Sequence, residues 1–463
     1  MFYRWTDVSE AFCLLKDIMS HLFLVGGNKV EISKYSRIYK VDGGYALFNT
    51  INKCIVKIEE PYIVDNYIVD DFPDEYFRAL QDMGYFAHNQ DVEKQVEALL
   101  EKDKKLIISV EVGLICNMRC PYCYQGTDKS SSKTLSEKDI EHLVKYYEKV
   151  AEIWDYQEIV LKVLGGEPTT IWDITNKVIT STIEYCKKNN KKINLMIDTN
   201  GVLVDPIMNL KGYDSLLLTI PLTNKKCHDR VRKLVNGQGS YDVIVANVNR
   251  IYEVNPDIKI VLRHNTDGEN LMLFPEFIDD LKEKLLFPPI IDLSYTTELG
   301  DGGFKNPLKY TEYINWKSGD AIDILAQRDM IIMATPLMTF DRCQFRSKYS
   351  LKMFSDGTVG GCAMDFFKTD REKILDVCSE LAQLEAMSNS FENNYEKCKS
   401  CKSFFLCGGG YNLPCMKSLH IKECDVDGAY VINIEQFIKK YLYYKSINKE
   451  KLFVGFNQNM VIR

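Results

Sequence analysis

Residues 105–124 read "KLIISVEVGLICNMRCPYCY". The first eight are rich in β-branched residues and predict a strand. That strand runs straight into three cysteines, Cys116, Cys120 and Cys123, spaced C-x3-C-x2-C. Tetrahedral metal sites mostly want four protein ligands, and this stretch offers three. Downstream, strand and helix signals alternate. "SEKDIEHLVKYYEKVAEIW" (136–154) predicts a helix: Ile140, Leu143, Val144, Tyr147 and Val150 recur at helical spacing, and Ser136 with Asp139 suits a capping box. Further strands are expected at "EIVLKVLGG" (158–166), "INLMIDTNG" (193–201), "SLLLTIPL" (215–222), "IKIVLRHNT" (258–266) and "IIDLSYTTEL" (290–299). Helical patterns fall at 172–188, 241–254 and 273–285. Strand–crossover–strand units build parallel sheets, so the expected fold is α/β, a partial (β/α)6 TIM-like barrel. Functional residues in such sheets gather at the carboxyl ends of the strands. The cysteine trio, "GGEP" (165–168) and "TNG" (199–201) follow the first three strands and converge on one rim.

Length and composition bound the rest. A chain of 463 residues is too long for one ordinary core. Hydrophobic content of 46% beside charged content of 27% reads as a globular protein, and a net charge of −7 gives no basic face for nucleic acid. No run of about 18 apolar residues is present, so no membrane span is expected. The start, "MFYRWTDVSEAF", has no long apolar core or small-residue cleavage site, so the expected location is the cytoplasm. There thiols stay reduced, and fifteen cysteines must be buried thiols, nucleophiles or metal ligands. Cys13, Cys54, Cys186, Cys227 and Cys378 are scattered and read as small buried hydrophobes. The other ten form the trio and a second group, Cys343, Cys362, Cys398, Cys401, Cys407, Cys415 and Cys424. Clustered thiolates with only six histidines favour iron–sulfur clusters or Cys-only zinc.

The trio after a first strand, Tyr122 before its last cysteine, and "GGEP" after the second strand together resemble the radical S-adenosylmethionine (SAM) superfamily. The resemblance spans roughly residues 105–300. It implies that Cys116, Cys120 and Cys123 hold three irons of a 4Fe–4S cluster. SAM would bind the fourth iron and be cleaved reductively to a 5′-deoxyadenosyl radical. Gly165 and Gly166 would let the backbone approach the methionine part of SAM. Glu167 would accept from its ammonium, Pro168 would stiffen the turn, and Tyr122 would pack near the adenine. Thr199 and Asn200 belong to the same cofactor-side set, which they share with an ordinary strand-end turn. Arg232, Arg263 and Asn265 lie where polar side chains could reach the SAM carboxylate or ribose; for each, a salt bridge or cap is the competing role. Where many relatives resemble "SLDG", this chain has Thr219, Ile220, Pro221 and Leu222. Thr219 stays in the cofactor-side set, and no role is carried over from the missing acidic residue.

The second group resembles the SPASM extension of radical SAM enzymes that modify peptides and proteins. In that family the cysteines bind two auxiliary iron–sulfur clusters. Cys398, Cys401, Cys407 and Cys424 match one cluster. Cys343 and Cys362 match the other, whose remaining cysteine position is Tyr411 here. Cys415, four residues on behind three glycines, is the favoured replacement; an open iron that binds a substrate thiolate and loss of that cluster are the alternatives, so one or two auxiliary clusters are expected. A zinc ribbon is the competing reading of C-x2-C. "SDGTVGGC" predicts a β-hairpin turning at Asp356-Gly357.

The expected organisation is a 1–103 α+β module that could bind a peptide leader, a 104–300 barrel, a 301–342 linker, a 343–430 SPASM domain and a 431–463 helical segment. In the first, "RIYKVDGGYALFNTINKCIVKI" predicts a small sheet, and "DEYFRALQDMGYF" and "VEKQVEALLEK" predict helices. The implied activity is modification of a peptide or protein, with a thioether or carbon–carbon crosslink in a ribosomal peptide favoured. Formylglycine formation in the manner of anaerobic sulfatase-maturing enzymes is the alternative. That branch resembles "CDFF", whereas Cys362 here is followed by Ala363 and Met364 before Asp365, which remains the candidate base. A non-catalytic iron–sulfur carrier is a third reading, and "GGEP" argues against it. The implied partners are a precursor peptide or protein substrate and a flavodoxin- or ferredoxin-type electron donor, without nucleic acid or membrane.

Overall fold

A computed structural model describes residues 30–51, 54–58, 63–64, 67–68, 74–86, 104–126, 133–296, 306–333, 349–361, 371–374 and 433–454. Near the start, β1 (Val30–Glu31) belongs to a small antiparallel sheet with the later pair 63–64 and 67–68. Strands β2 (Ser36–Val41), β3 (Gly44–Asn49) and β4 (Ile55–Ile58) form the expected antiparallel sheet. After β5 (Ile63–Val64) and β6 (Tyr67–Ile68) comes α1 (Asp74–Asp82), also expected. Alternation along β3 divides its burial: Ala46 and Phe48 join the main core, while Leu47 packs with Val56, Ile58 and Leu80 in a second one. The sheet is therefore covered on both faces and docks on the barrel. "VEKQVEALLEK" lies outside the described residues.

The main sheet begins with β7 (Lys105–Glu111). Helix α2 (Glu137–Ile153) follows, opened by the anticipated capping box of Ser136 and Asp139. Then come β8 (Glu158–Leu164), α3 (Trp172–Lys188), β9 (Lys192–Asp198), β10 (Ser215–Pro221), α4 (Lys225–Val231), α5 (Tyr241–Val254), β11 (Lys259–Thr266), α6 (Phe274–Lys284) and β12 (Ile290–Tyr295). These six strands pair in parallel in chain order, the architecture of a partial (β/α)6 barrel. Helix-facing positions are apolar and buried: Leu106, Ile108 and Val110, then Ile159, Leu161 and Val163. The alternate positions face inward and carry the polar groups described below.

Two features depart from the sequence reading. The segment 301–342, expected as a linker, contains α7 (Tyr310–Ser318) and α8 (Asp320–Gln327), whose Tyr313, Ile314, Trp316, Ile322 and Leu325 sit in the main core. Both helices are short and meet at Gly319, so neither presents the long apolar period that marks a helix in sequence. After β13 (Ile332–Met333), the chain forms β14 (Leu351–Met353), β15 (Thr358–Gly360) and β16 (Glu372–Lys373). Strand β14 lies parallel to β7, in register Lys352 to Ser109, and adds a seventh parallel strand beside the first. The expected hairpin is present between β14 and β15, with Gly357 at φ +75°. It is thus hydrogen-bonded into the barrel sheet. Helix α9 (Ile434–Ser446) covers α7 and α8, and β17 (Phe453–Val454) pairs with β13. No helix among the described residues is long and apolar enough to cross a membrane.

Candidate cofactor site at the strand ends

The β7–β8 ladder does not stop at the strand ends. Val112 N donates to Leu164 O (2.9 Å), Gly166 N to Gly113 O (2.8 Å) and Glu167 N to Ile115 O (2.8 Å). The backbone of "GGEP" thus lies directly on the backbone that leads into Cys116. A Cβ on Gly165 would stand 2.6 Å from Gly113 O, and one on Gly166 2.3 Å from Ile115 O. The first need for these glycines is therefore the approach of two loops, not only the approach of a ligand. Pro168 opens a buried 3-10 turn, Pro168–Ile171.

On its other side the cysteine loop pairs with the segment after α4, a contact the sequence did not reveal. Met118 bridges Leu234, Arg119 N donates to Lys233 O (3.1 Å), and Val235 N to Asn117 O (3.1 Å). Within the loop Met118 N donates to Cys116 Sγ (3.4 Å) and Cys123 N to Cys120 O (3.2 Å). All three cysteines are half-buried. Among the described residues no group of three or more His, Cys, Asp or Glu side chains is close enough to hold a metal ion as it stands. The trio is an ordered loop carrying three soft donors, not a preformed mononuclear site. Cys54, Cys186 and Cys227 are buried thiols, as expected, and burial pushes them up to about 11, 12 and 11.

Glu167 is fully buried, and both carboxylate oxygens are engaged. Thr169 N (3.2 Å), Thr169 Oγ1 (2.7 Å) and Thr199 Oγ1 (2.7 Å) donate to Oε1, and Asn200 N (2.6 Å) donates to Oε2. Burial raises its pKa, against the pull of these bonds. Asn200 also donates through Nδ2 to Asn117 Oδ1 (2.6 Å), inside the cysteine loop. Glu167, Thr199 and Asn200, all expected on the cofactor side, together tie three loops into one body.

Arg232 is buried and reaches the cysteine loop: Nη1 lies 3.7 Å from Cys120 Sγ and 3.2 Å from Tyr122 Oη. Asn265 Nδ2 donates to the same phenol oxygen at 3.5 Å. Burial raises the Tyr122 pKa, opposed by Arg232. Arg263, in contrast, is held by Asp292 (Nε to Oδ2, 2.9 Å), the salt-bridge role that competed for it.

Thr219 and Arg263 belong to an inward-facing band of polar groups below the rim. In strand order it runs Lys352, Glu111, Lys162, Asp198, Thr219, Arg263, Asp292, and its charges alternate in sign. Lys162 pairs with Asp198 (2.9 Å) and Lys352 with Glu111 (4.0 Å), the latter pair almost wholly buried. Burial opposes the charge on Asp198, but Lys162, Arg263 and a hydrogen bond from Thr219 lower its pKa. Gln125 Nε2 (2.7 Å) and Ser355 Oγ (3.1 Å) also donate to Glu111, so it joins the cysteine loop to the hairpin. Sequence reasoning did not single out Glu111, Lys162, Asp198, Asp292 or Lys352. The available signal was a charged residue at an alternate position of a largely apolar strand.

Cys343, Cys362, Cys398, Cys401, Cys407, Cys415, Cys424, Tyr411 and Asp365 lie outside the described residues.

Comparison with known proteins agrees with this fold. Residues 110–281 match the family model described as Radical SAM superfamily. The chain is 24% identical over 212 residues to the Fe-coproporphyrin III synthase of Methanosarcina barkeri, covering 45% of this chain but only 49% of that relative. It is 24% identical over 352 residues to the cysteine-type anaerobic sulfatase-maturating enzyme of Clostridium perfringens, covering 69% of this chain and 90% of the relative. Among solved structures, native anSMEcpe with bound AdoMet and Cp18Cys peptide superimposes with a TM-score of 0.51 at 18% identity. That match covers 75% of this chain and 98% of the other, a likeness of fold.

Proposed function

The chain carries a radical SAM domain and is an enzyme, and from that premise we propose that it modifies a peptide or protein, acting on a side chain or α-carbon. The favoured product is a thioether or carbon–carbon crosslink in a ribosomal peptide. The observation that carries the substrate class is the inward band. Each of its three cations, Lys162, Arg263 and Lys352, stands beside a carboxylate. A polyanionic substrate such as a nucleotide would call for cations without such partners. A peptide backbone, neutral overall and alternating N–H donors with C=O acceptors, suits paired charges of both signs.

The residues fit a 4Fe–4S cluster and SAM. Three thiols on one ordered loop match the donor set, and beside them the buried Arg232 Nε has no hydrogen-bond partner among the described residues. In this reading Cys116, Cys120 and Cys123 hold the cluster. With SAM and one electron from a flavodoxin- or ferredoxin-type donor, the group they would hold would supply 5′-deoxyadenosyl radical chemistry for hydrogen abstraction from the substrate. The chain's part is to hold and orient. Glu167 keeps the loops after β7, β8 and β9 in register, Asn200 fixes Asn117, and the half-exposed pairs Lys162–Asp198 and Arg263–Asp292 of the inward band align the peptide. The second cysteine group would hold one or two auxiliary clusters that relay the remaining electron or bind substrate, with Asp365 as candidate base.

Formylglycine formation is kept as a second reading because the sulfatase-maturating relative aligns over 90% of its own length. The test is anaerobic reconstitution, reduction, and assay for 5′-deoxyadenosine with two peptides. One is a small precursor peptide encoded beside the gene; the other is a cysteine-containing sulfatase peptide. Loss of two hydrogens with sulfur retained supports the crosslink. Loss of sulfur with formation of an aldehyde supports the second reading. Absence of 5′-deoxyadenosine under all conditions refutes both.

A further inference from the structure

We propose that Arg232 tunes the reduction potential of the cluster on Cys116, Cys120 and Cys123, acting through Cys120. This rests on the cluster reading above but concerns the electron rather than the substrate.

The position of Arg232 is fixed from both sides. Its N donates to His228 O (2.7 Å), and its carbonyl accepts from Ser240 Oγ (2.8 Å). The next three residues are hydrogen-bonded to residues 117–119 of the cysteine loop. The residue is 5% exposed. Its Nη1 points at Cys120 Sγ (3.7 Å) and Tyr122 Oη (3.2 Å), and Nη2 at Met118 Sδ (3.6 Å).

No carboxylate pairs with it among the described residues. Burying a cation without an anionic partner is costly, by several kcal/mol in typical cases. Within the described protein, the anion that this guanidinium meets comes from the groups it touches. Those are a cysteine thiol, a phenol and a thioether. Of these only the cysteine becomes an anion when it binds iron. Arg232 is thus the counter-cation of the trio.

The consequence follows from charge. Reduction adds an electron to a group already made negative by its thiolates. A fixed cation, and an N–H aimed at a ligand sulfur, stabilise the reduced form more than the oxidised one. Arg232 therefore makes the cluster easier to reduce. Its planar fork, held between Met118 and Tyr122, is a geometry that a lysine reproduces only as a point charge.

The test uses the full chain, reconstituted anaerobically with iron and sulfide, as wild type, R232Q and R232K. The midpoint potential is followed by electron paramagnetic resonance without SAM, so any contact Arg232 makes with SAM plays no part. A C116A/C120A/C123A variant supplies the signal of other clusters for subtraction. The expected result is a potential in R232Q lower by a tenfold or greater fall in the reduced-to-oxidised ratio, about 59 mV for one electron, with R232K in between. Loss of trio iron in R232Q but not in R232K also supports the proposal, since charge alone then decides retention. Equal iron at unchanged potential in R232Q overturns it. Loss of trio iron in both variants, with the fold intact by circular dichroism, overturns it too, because packing rather than charge would be at work. A wild-type protein with no trio-dependent four-iron signal refutes the cluster reading itself.

Discussion

Replacing Gly166 by alanine separates two explanations of "GGEP". If the glycine serves only to let SAM approach, G166A folds normally, keeps its iron and loses SAM affinity. The structure predicts otherwise. The added Cβ would stand 2.3 Å from Ile115 O, 2.4 Å from Leu114 O and 2.7 Å from Ile115 C, all backbone atoms that no rotamer change can move aside. To relieve this the two loops must part, which breaks the bonds from Gly166 N to Gly113 O and from Glu167 N to Ile115 O. Overpacking costs about 1–3 kcal/mol. The two lost hydrogen bonds add about 1 kcal/mol each. A total of roughly 3–5 kcal/mol lowers the melting temperature of a barrel-sized unit by on the order of 10 °C. Because the displaced segment ends one residue before Cys116, trio iron should fall as well. Thermal unfolding by circular dichroism and iron analysis of the reconstituted protein measure both effects. A G166A protein that melts with the wild type, holds full iron and fails only to bind SAM would refute this account.

Three further outcomes are expected. The C116A/C120A/C123A variant should lose one cluster's iron and all 5′-deoxyadenosine formation while iron bound elsewhere remains; undiminished 5′-deoxyadenosine would sink the cofactor assignment. For Glu167 the sign follows from its raised pKa: between the ordinary carboxylate value near ~4.3 and the raised one, the folded chain holds a proton that the unfolded chain has released. Glu167's contribution to stability is then greatest below that window and declines as pH rises through it. E167Q should lack this slope, and parallel stability-against-pH curves for the two proteins would contradict it. K352M should destabilise the barrel by about 3–5 kcal/mol, since it leaves Glu111 buried beside Gln125 and Ser355 without its cation; a change under about 1 kcal/mol by urea unfolding would show that the pair is already solvated.

The barrel was legible because its signals are local and repeated. Six apolar runs of strand length lie beside stretches with an apolar period of 3.6, and the capping box at Ser136 marks a helix start by itself. Strand β14 was not legible. Three residues carry no period, and what makes them a strand is β7, more than 240 positions earlier. Helices α7 and α8 were missed for a related cause, being one-sided only against a core that other elements supply.

The site divides along the same line. That three thiols, two glycines and a glutamate meet at one rim could be read from their places after successive strands. What each side chain touches could not, because the partners are far apart in sequence: Thr199 for Glu167, Asn117 for Asn200, Cys120 for Arg232. A motif records which residue types a site needs without recording which contacts need them. In "GGEP" the glycines answer to the cysteine loop's carbonyls and the glutamate to four donors of the protein itself. Those demands would keep these three residues in place even without a ligand. Their presence is therefore weaker support for a SAM contact than the motif suggests, and stronger support for one rigid body of three loops. A rigid rim is what a thiolate-held cluster needs, since its ligands must stay in place as its charge changes by one electron.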